Sequence, residues 1–307
     1  MQRLGEIVDY NRLVVQNRRG DIVFALVGMV ILFVAIGMLL ALIIDLAIVG
    51  VPRIDYDFLT SFPSRRAARA GILTAWVGTS LVMLVTAVLA VPLGVAAGVY
   101  LEEYAPKNWM TSIIEINVTN LAGVPSIIYG LLALGLFVYT LGLGETILVA
   151  GMVLALLILP VVIVATREAI RSIPQEVREA AYALGADQWQ TVRMYILPAA
   201  RPGILTGTIM GLSRAIGETA PVITIGALTF IAFLPPSPMQ PQFPFISFEW
   251  LNYPFTVLPI QMFNWISRPQ AEFHVNAAAA GVVLLIMTLL MNGLAIYIRY
   301  RIRKTMR

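Results

Sequence analysis

Cysteine is absent from the sequence, and histidine occurs once, as His274. Disulfides, thiol catalysis and cysteine-ligated zinc are therefore excluded, and a histidine-built metal site or catalytic triad has no material. Lysine is nearly absent too. The only two, Lys107 and Lys304, follow no glycine-rich loop, so the chain lacks the phosphate cradle of nucleotide hydrolases. Charge of either sign is scarce, 12% of residues against about a quarter in soluble domains. With 59% hydrophobic residues and a mean hydropathy of +0.84, a soluble fold of this length could not cover its surface. A soluble enzyme and a nucleic-acid reader are excluded. What remains is an all-α polytopic membrane protein.

Six apolar stretches reach the length of about 20 residues that a membrane-crossing helix needs. They are Ile22–Val49, Gly71–Leu101, Ile116–Leu141, Thr146–Thr166, Gly203–Phe233 and Val275–Ile298. The first is about twice as long as a signal-peptide core and has no clean cleavage site, so it is read as a retained span. Basic residues then set the orientation. Fifteen fall on one side: the N-terminal tail, Lys107, the loop from Arg167 to Arg201 and the C-terminal tail. Five fall on the other, three of them within Ser64–Arg69, which reads as a short interfacial helix. Both termini are expected in the cytoplasm. The expected organisation is a tail, first span and outer linker over 1–70, a core over 71–298, and a basic tail over 299–307.

Two loops are long. The outer one, Leu234–Asn276, holds eight prolines and aromatics such as Trp250 and Trp265. Prolines forbid a long helix there and the aromatics suit an interface, so re-entrant or interfacial pieces are expected over 234–274. The cytoplasmic loop contains a helix–glycine–helix element over 174–197. Pro174 suits a first turn. Val177, Ala180, Ala181 and Leu184 share one apolar face. Gly185 suits a left-handed cap. Asp187 with Gln190 forms a capping box, and Pro198 is expected to stop the second helix, whose apolar side is Val192, Tyr195 and Ile196. Two readings stand, a loop lying on lipid and a docking element. The mixed charge of Glu176, Glu179, Asp187, Arg178 and Arg193 favours docking, because lipid-binding helices are more cationic.

Glu179-Ala180-Ala181, then Gly185, then Ile196-Leu197-Pro198 resembles the signature of ABC importer permeases, the EAA-motif family with the type I importer permease fold. Val124-Pro125-Ser126-Ile127-Ile128-Tyr129-Gly130, Arg214-Ala215-Ile216-Gly217-Glu218-Thr219-Ala220-Pro221, Leu258-Pro259-Ile260-Gln261 and Trp265-Ile266-Ser267-Arg268-Pro269 narrow the resemblance to phosphate permeases of the PstA type. It covers the chain from about Gly71 on; the first span carries no motif. The resemblance implies that Glu179, Ala180, Ala181, Gly185, Asp187 and Pro198 form the coupling element that docks on an ATPase. It implies a second permease of the PstC type, a PstB-type ATPase dimer and an extracytoplasmic PstS-type phosphate-binding protein. No cofactor is expected in this chain, since ATP and magnesium would be bound by the ATPase; no nucleic-acid partner is expected, and membrane lipid and inorganic phosphate are.

Charge inside a span is costly and marks function by default. Arg214 and Glu218 are the charges deepest in a span. On a helical wheel they share a sector with Gly207 and Gly211, so one face is expected to carry both a close-packing stripe and the ion pair. In one reading the pair is packing glue. In the other, Arg214 meets an anion in a pathway, Glu218 holds it, and Thr219 with carbonyls freed by Pro221 lines the path. Pro125 and Ser126, with Asn120, are expected to kink the third span and shape the pathway. Gly94 and Gly98 read as helix packing, Glu115 as an interfacial charge, and His274 as a satisfied boundary residue.

The functional expectation is the membrane subunit of an ATP-driven phosphate importer, working by alternating access and not itself an enzyme. Alternatives are a permease for another oxyanion such as molybdate or sulfate, an ion-coupled secondary transporter, and a non-transporting scaffold or sensor.

Overall fold

The computed structural model describes residues 10–240 and 245–305. Arg3, Arg307, Pro241 and Pro244, which enter the charge and proline patterns above, lie outside the described residues. The described chain is helical and has no β-strand; one isolated bridge joins Met239 and Ile246.

The chain divides into two compact units, the first ending at Val49 and the second starting at Gly50. The first holds nearly all of α1 (Tyr10–Gly50). Its apolar side chains from Ile22 onward are largely exposed around the whole helix, a distribution that suits lipid rather than water.

The second unit begins with residues 50–70, which the sequence analysis grouped with the first span. They fold instead with the core of this unit. Phe58 on α2 (Tyr56–Thr60), Ala67 and Ala70 are buried beside Trp265 and Phe273. Arg53 braces the segment, donating to Asn276 Oδ1 (3.0 Å) and to the carbonyls of Ala68 and Ala70 (3.2 Å each). The interfacial helix expected at Ser64–Arg69 is a single 3-10 turn, Ala67–Arg69.

The centre of this unit is α3 (Leu73–Val99), α6 (Ile147–Arg171) and α9 (Leu197–Ala215) packed together. Small residues let their backbones approach. A Cβ on Gly94 would come within 2.7 Å of Val162, and one on Gly98 within 2.6 Å of Thr166. Gly203 meets Ala169 at 2.6 Å by the same measure, and Gly207 lies tighter still on Ala165. α12 (Ala271–Thr305) packs on α9 and on α11 (Leu258–Ile266), a short helix that buries Leu258, Ile260, Gln261 and Trp265. Gln261 fixes α11 from within. Its amide oxygen accepts from Trp265 Nε1 (3.0 Å) and its nitrogen donates to the Thr229 carbonyl (3.3 Å).

Among the described residues, four helices are long and apolar enough to cross a membrane: Gly20–Arg53, Leu73–Tyr104, Ile147–Arg171 and Ala271–Arg301. A fifth crossing is available if one bent pair is counted as a span. The third predicted span is not a kinked rod but two helices, α4 (Trp109–Leu121) and α5 (Ser126–Ala133, continued by a π-helical turn to Thr140), bent by 104°. Pro125 cannot continue α4, and the turn 120–125 redirects the chain. The stretch read as a fifth span is not one helix either. α9 ends at Ala215, residues 216–219 form a break, and α10 (Ala220–Thr224) is short.

Candidate functional site

α9 ends on Arg214 and Ala215. Glu218 Nα donates to the Ala215 carbonyl (3.2 Å), so the chain turns without continuing the helix. The turn carries Glu218 back to Arg214, whose Nε donates to Glu218 Oε1 at 3.2 Å. The arginine side chain is 41% exposed and the glutamate 17%. Glu218 also borders a cavity between α3, α6 and α9, lined by Thr79, Met83 and Leu154. The carboxylate thus stands between the packed core and the guanidinium. Because the bond to Glu218 uses Nε, the two terminal nitrogens of Arg214 donate to no described residue. They present two parallel N–H groups, the edge that fits an oxyanion.

The glycine stripe and the ion pair, expected on one helical face, are separated by the end of α9. Gly207 and Gly211 lie on α6, but Arg214 stands at the margin of that face and is open, and Glu218 has left the helix. The wheel assumed a helix through Gly217 that the backbone does not make.

Thr219 is the N-cap position of α10, its hydroxyl 3.4 Å from the Gly217 carbonyl, and Pro221 occupies the first turn, buried. α10 packs on α5. A Cβ on Gly130 would lie 2.7 Å from Pro221 Cα and overlap Thr224 Oγ1, so only glycine admits this approach. Tyr129, its neighbour, donates from its hydroxyl to the Leu121 carbonyl (2.8 Å) at the end of α4, closing the elbow. The two motifs quoted for the third and fifth spans therefore meet in one place. Pro125 and Ser126 sit at the elbow, one turn before Tyr129, and neither hydrogen-bonds to Arg214 or Glu218. Tyr129 and Gly130 act through partners distant in sequence, on α4 and α10, which the motif alone does not reveal.

The helix–glycine–helix element forms a second cluster. α7 (Gln175–Ala183) ends in a cap with Gly185 at φ +86°. Ala186 Nα donates to the Ala181 carbonyl (3.1 Å) and Gly185 Nα to that of Tyr182 (2.9 Å), the two-bond closure that a left-handed residue makes possible. Asp187 then caps α8 (Gln188–Thr191). It accepts from Gln190 Nα (2.7 Å) while its own Nα donates to Gln190 Oε1 (3.0 Å). Pro198 does not stop the chain. It stands in the first turn of α9, reached from α8 through a π-helical turn, Val192–Ile196, which absorbs the missing N–H.

Only part of each predicted apolar face turns inward. Ala181, Val192 and Ile196 are buried. Ala180, Leu184 and Tyr195 are exposed, and Trp189 and Met194 beside them are exposed too, with Leu184 at 82%. Glu179 is also exposed. The element offers an apolar patch rimmed by charge, the composition of a docking surface.

Sequence reasoning missed one cluster. Glu115, expected to be an interfacial charge, pairs with the buried Arg167 at 2.7 Å. Glu102 reaches Arg167 (3.5 Å) and Arg171 (3.2 Å), and Glu103 accepts from Arg178 Nη2 (2.7 Å) and Nε (3.2 Å). The one available signal was two adjacent acids at the end of an apolar span. His274 Nε2 lies 2.9 Å from the Arg268 carbonyl, a satisfied boundary residue as expected.

A family model described as the binding-protein-dependent transport system inner membrane component matches residues 90–306. The "Probable ABC transporter permease protein YqgI" of Bacillus subtilis is 32% identical over 88% of this chain and 90% of its own. The "Phosphate transport system permease protein PstA 1" of Mycobacterium tuberculosis is 34% identical, covering 75% of this chain and 71% of its own. Among solved structures, a bacterial alginate ABC transporter in complex with its alginate-bound periplasmic protein has a chain that aligns over 95% of this one and 98% of its own. Its TM-score is 0.64 at 15% identity, a likeness of fold.

Proposed function

Because this chain belongs to the family of binding-protein-dependent transport system inner membrane components, and so is a permease subunit of an ABC importer, we propose that its cargo is inorganic phosphate. Members of such a family are membrane subunits served by a separate ATPase and an extracytoplasmic binding protein. The observation that carries the reading of the site is the Arg214–Glu218 pair. It leaves the bidentate edge of a guanidinium open at a helix break, on a face built by the two motifs that resemble phosphate permeases. The name of the mycobacterial relative supports the same cargo.

In this reading Arg214 meets phosphate transiently, since a path that binds tightly does not release. Glu218 orients the arginine and offsets its charge when the path is empty. Thr219 and the carbonyls of the 216–219 break line the same path, and the elbow at Pro125 and Ser126 shapes it. The α7–Gly185–α8 element is the coupling element, docking through Ala180, Leu184, Trp189 and Glu179 on the ATPase, which binds ATP and magnesium. Closure of the ATPase dimer displaces this element and switches the side to which Arg214 is open. A second, similar permease supplies the facing wall, a phosphate-binding protein of the PstS type delivers cargo, and both termini lie in the cytoplasm.

The test is uptake into proteoliposomes holding the complete transporter. Phosphate uptake that requires ATP, and that excess sulfate or molybdate does not suppress, is the expected result. Suppression by either oxyanion would reassign the cargo, and uptake driven by a proton gradient without ATP would overturn the mechanism.

A further inference from the structure

Six charges meet at the end of the second unit that carries α7 and α8. Glu102 and Glu103 stand on the π-helical turn that extends α3, Glu115 on α4, Arg167 and Arg171 on the last turns of α6, and Arg178 on α7. The three acids balance the three arginines. The Arg178–Glu103 pair is held largely out of solvent, at 16% and 7% exposed, and Arg167 is 9% exposed, while its partner Glu115 is 33% exposed and Arg171 58%. Pairs of this kind add little net stability, because desolvation offsets attraction; what they fix is register.

Arg178 makes four bonds to three partners. Its Nη2 and Nε hold Glu103, its Nη1 donates to the Ile173 carbonyl (3.0 Å), and Nη2 also reaches that of Ile170 (3.3 Å). One side chain thus ties α7 to the ends of both α3 and α6. Gln188 Nε2 donates to the Glu103 carbonyl (2.6 Å), which binds α8 to the same turn. On the other side of the cluster, Arg167 joins α6 to α4 through Glu115. That tie matters because α4 buries none of its residues. It is attached to α6 by charge more than by apolar packing. From α4 the chain of contacts continues through Tyr129 and Leu121 to α5, and through Gly130 and Pro221 to α10, beside Glu218.

We infer that Arg178, Glu103, Arg167 and Glu115 are positioning residues, forming a charged joint that makes α7, α3, α6 and α4 move together and so carries displacement of α7–α8 to the Arg214 site. The inference rests on the reading of α7–α8 as the coupling element.

Two readouts test it in the assembled transporter in liposomes. In the first, uptake is measured per ATP hydrolysed. Glu103→Gln and Glu115→Gln should keep ATP hydrolysis within about twofold and lower uptake per ATP by about fivefold. Unchanged uptake per ATP in both variants overturns the joint. The second readout needs no cargo. Since the chain has no cysteine, spin labels at Glu176→Cys on α7 and Ile114→Cys on α4 report one distance. The joint requires a narrow distance distribution that ATP leaves unchanged and that Glu103→Gln or Glu115→Gln broadens. A distance that shifts with ATP in the unsubstituted background overturns it. A narrow distribution in a complex that takes up no phosphate supports the joint while the cargo assignment fails. If Glu115→Gln does not assemble, Glu115→Asp, which withdraws the carboxylate by one methylene, carries the same readouts.

Discussion

Gly130 lies against Pro221, so closely that a Cβ on the glycine would come 2.7 Å from the proline Cα and overlap Thr224 Oγ1. This contact is what brings the α5 and α10 motifs into one site. Thr224 cannot swing aside freely, because its hydroxyl donates to the Pro221 carbonyl (2.9 Å). Gly130→Ala should therefore push α10 from α5 and abolish most uptake, while Gly135→Ala, with open space around its Cβ, should be tolerated. The two variants are compared by uptake at equal membrane expression.

Arg214→Lys keeps the charge and removes the planar fork. Uptake should survive with an apparent affinity for phosphate lower by about tenfold, equivalent to roughly 1.4 kcal/mol. Initial rates across a phosphate series give the KM. An unchanged value would mean that the arginine pairs only with Glu218 and does not use its bidentate edge.

Tyr129→Phe removes one hydroxyl and leaves the ring. The Leu121 carbonyl at the elbow loses its donor, at about 1 kcal/mol. The Tm of the purified complex should fall slightly and uptake should fall with it, because the elbow sets where α5 begins. A full rate at lowered Tm would separate the elbow from transport.

Leu184→Glu changes a side chain that is 82% exposed, so the fold should be indifferent to it. Docking on the ATPase should not be. Co-purification of the ATPase subunit with the permease is expected to fall by about tenfold, since a charge buried at an interface without a partner is strongly unfavourable. Retained co-purification would remove α7–α8 from the docking surface.

Asp187→Ala removes the cap of α8. The loss is typically about 1 kcal/mol of helix stability. The element should loosen without unfolding the unit, seen as faster amide exchange in 186–191 and a reduced ATPase stimulation by the permease.

Local chemistry was legible in the sequence where it acts through neighbours. The Gly185 cap needs a left-handed residue and the Asp187–Gln190 box needs two side chains three apart, and both formed as read. The helical class followed from apolar stretches too long for strands. What was not legible depends on residues far apart. Arg171 finds Glu102 across 69 positions and Arg178 finds Glu103 across 75, so the acids looked like the mere end of a span. The 104° elbow needed more than Pro125, since a proline alone commonly gives a modest kink; the hydroxyl of Tyr129 and the seat on α10 set the angle. The wheel through α9 failed at Ile216: Pro221 signalled a break, but not that the helix would end before Glu218.

The openness of Arg214 also bears on how the protein is made. A lone copy has a guanidinium on an open face and an α4 with nothing buried, and only lipid available to meet them. Glu218 offsets the charge within the same chain, but the terminal nitrogens of Arg214 then face hydrocarbon without an acceptor, which is unfavourable. If the proposed second permease covers this face, copies made in excess of it are expected to be the first cleared by membrane proteases. Subunit stoichiometry would then be set by degradation as well as by expression.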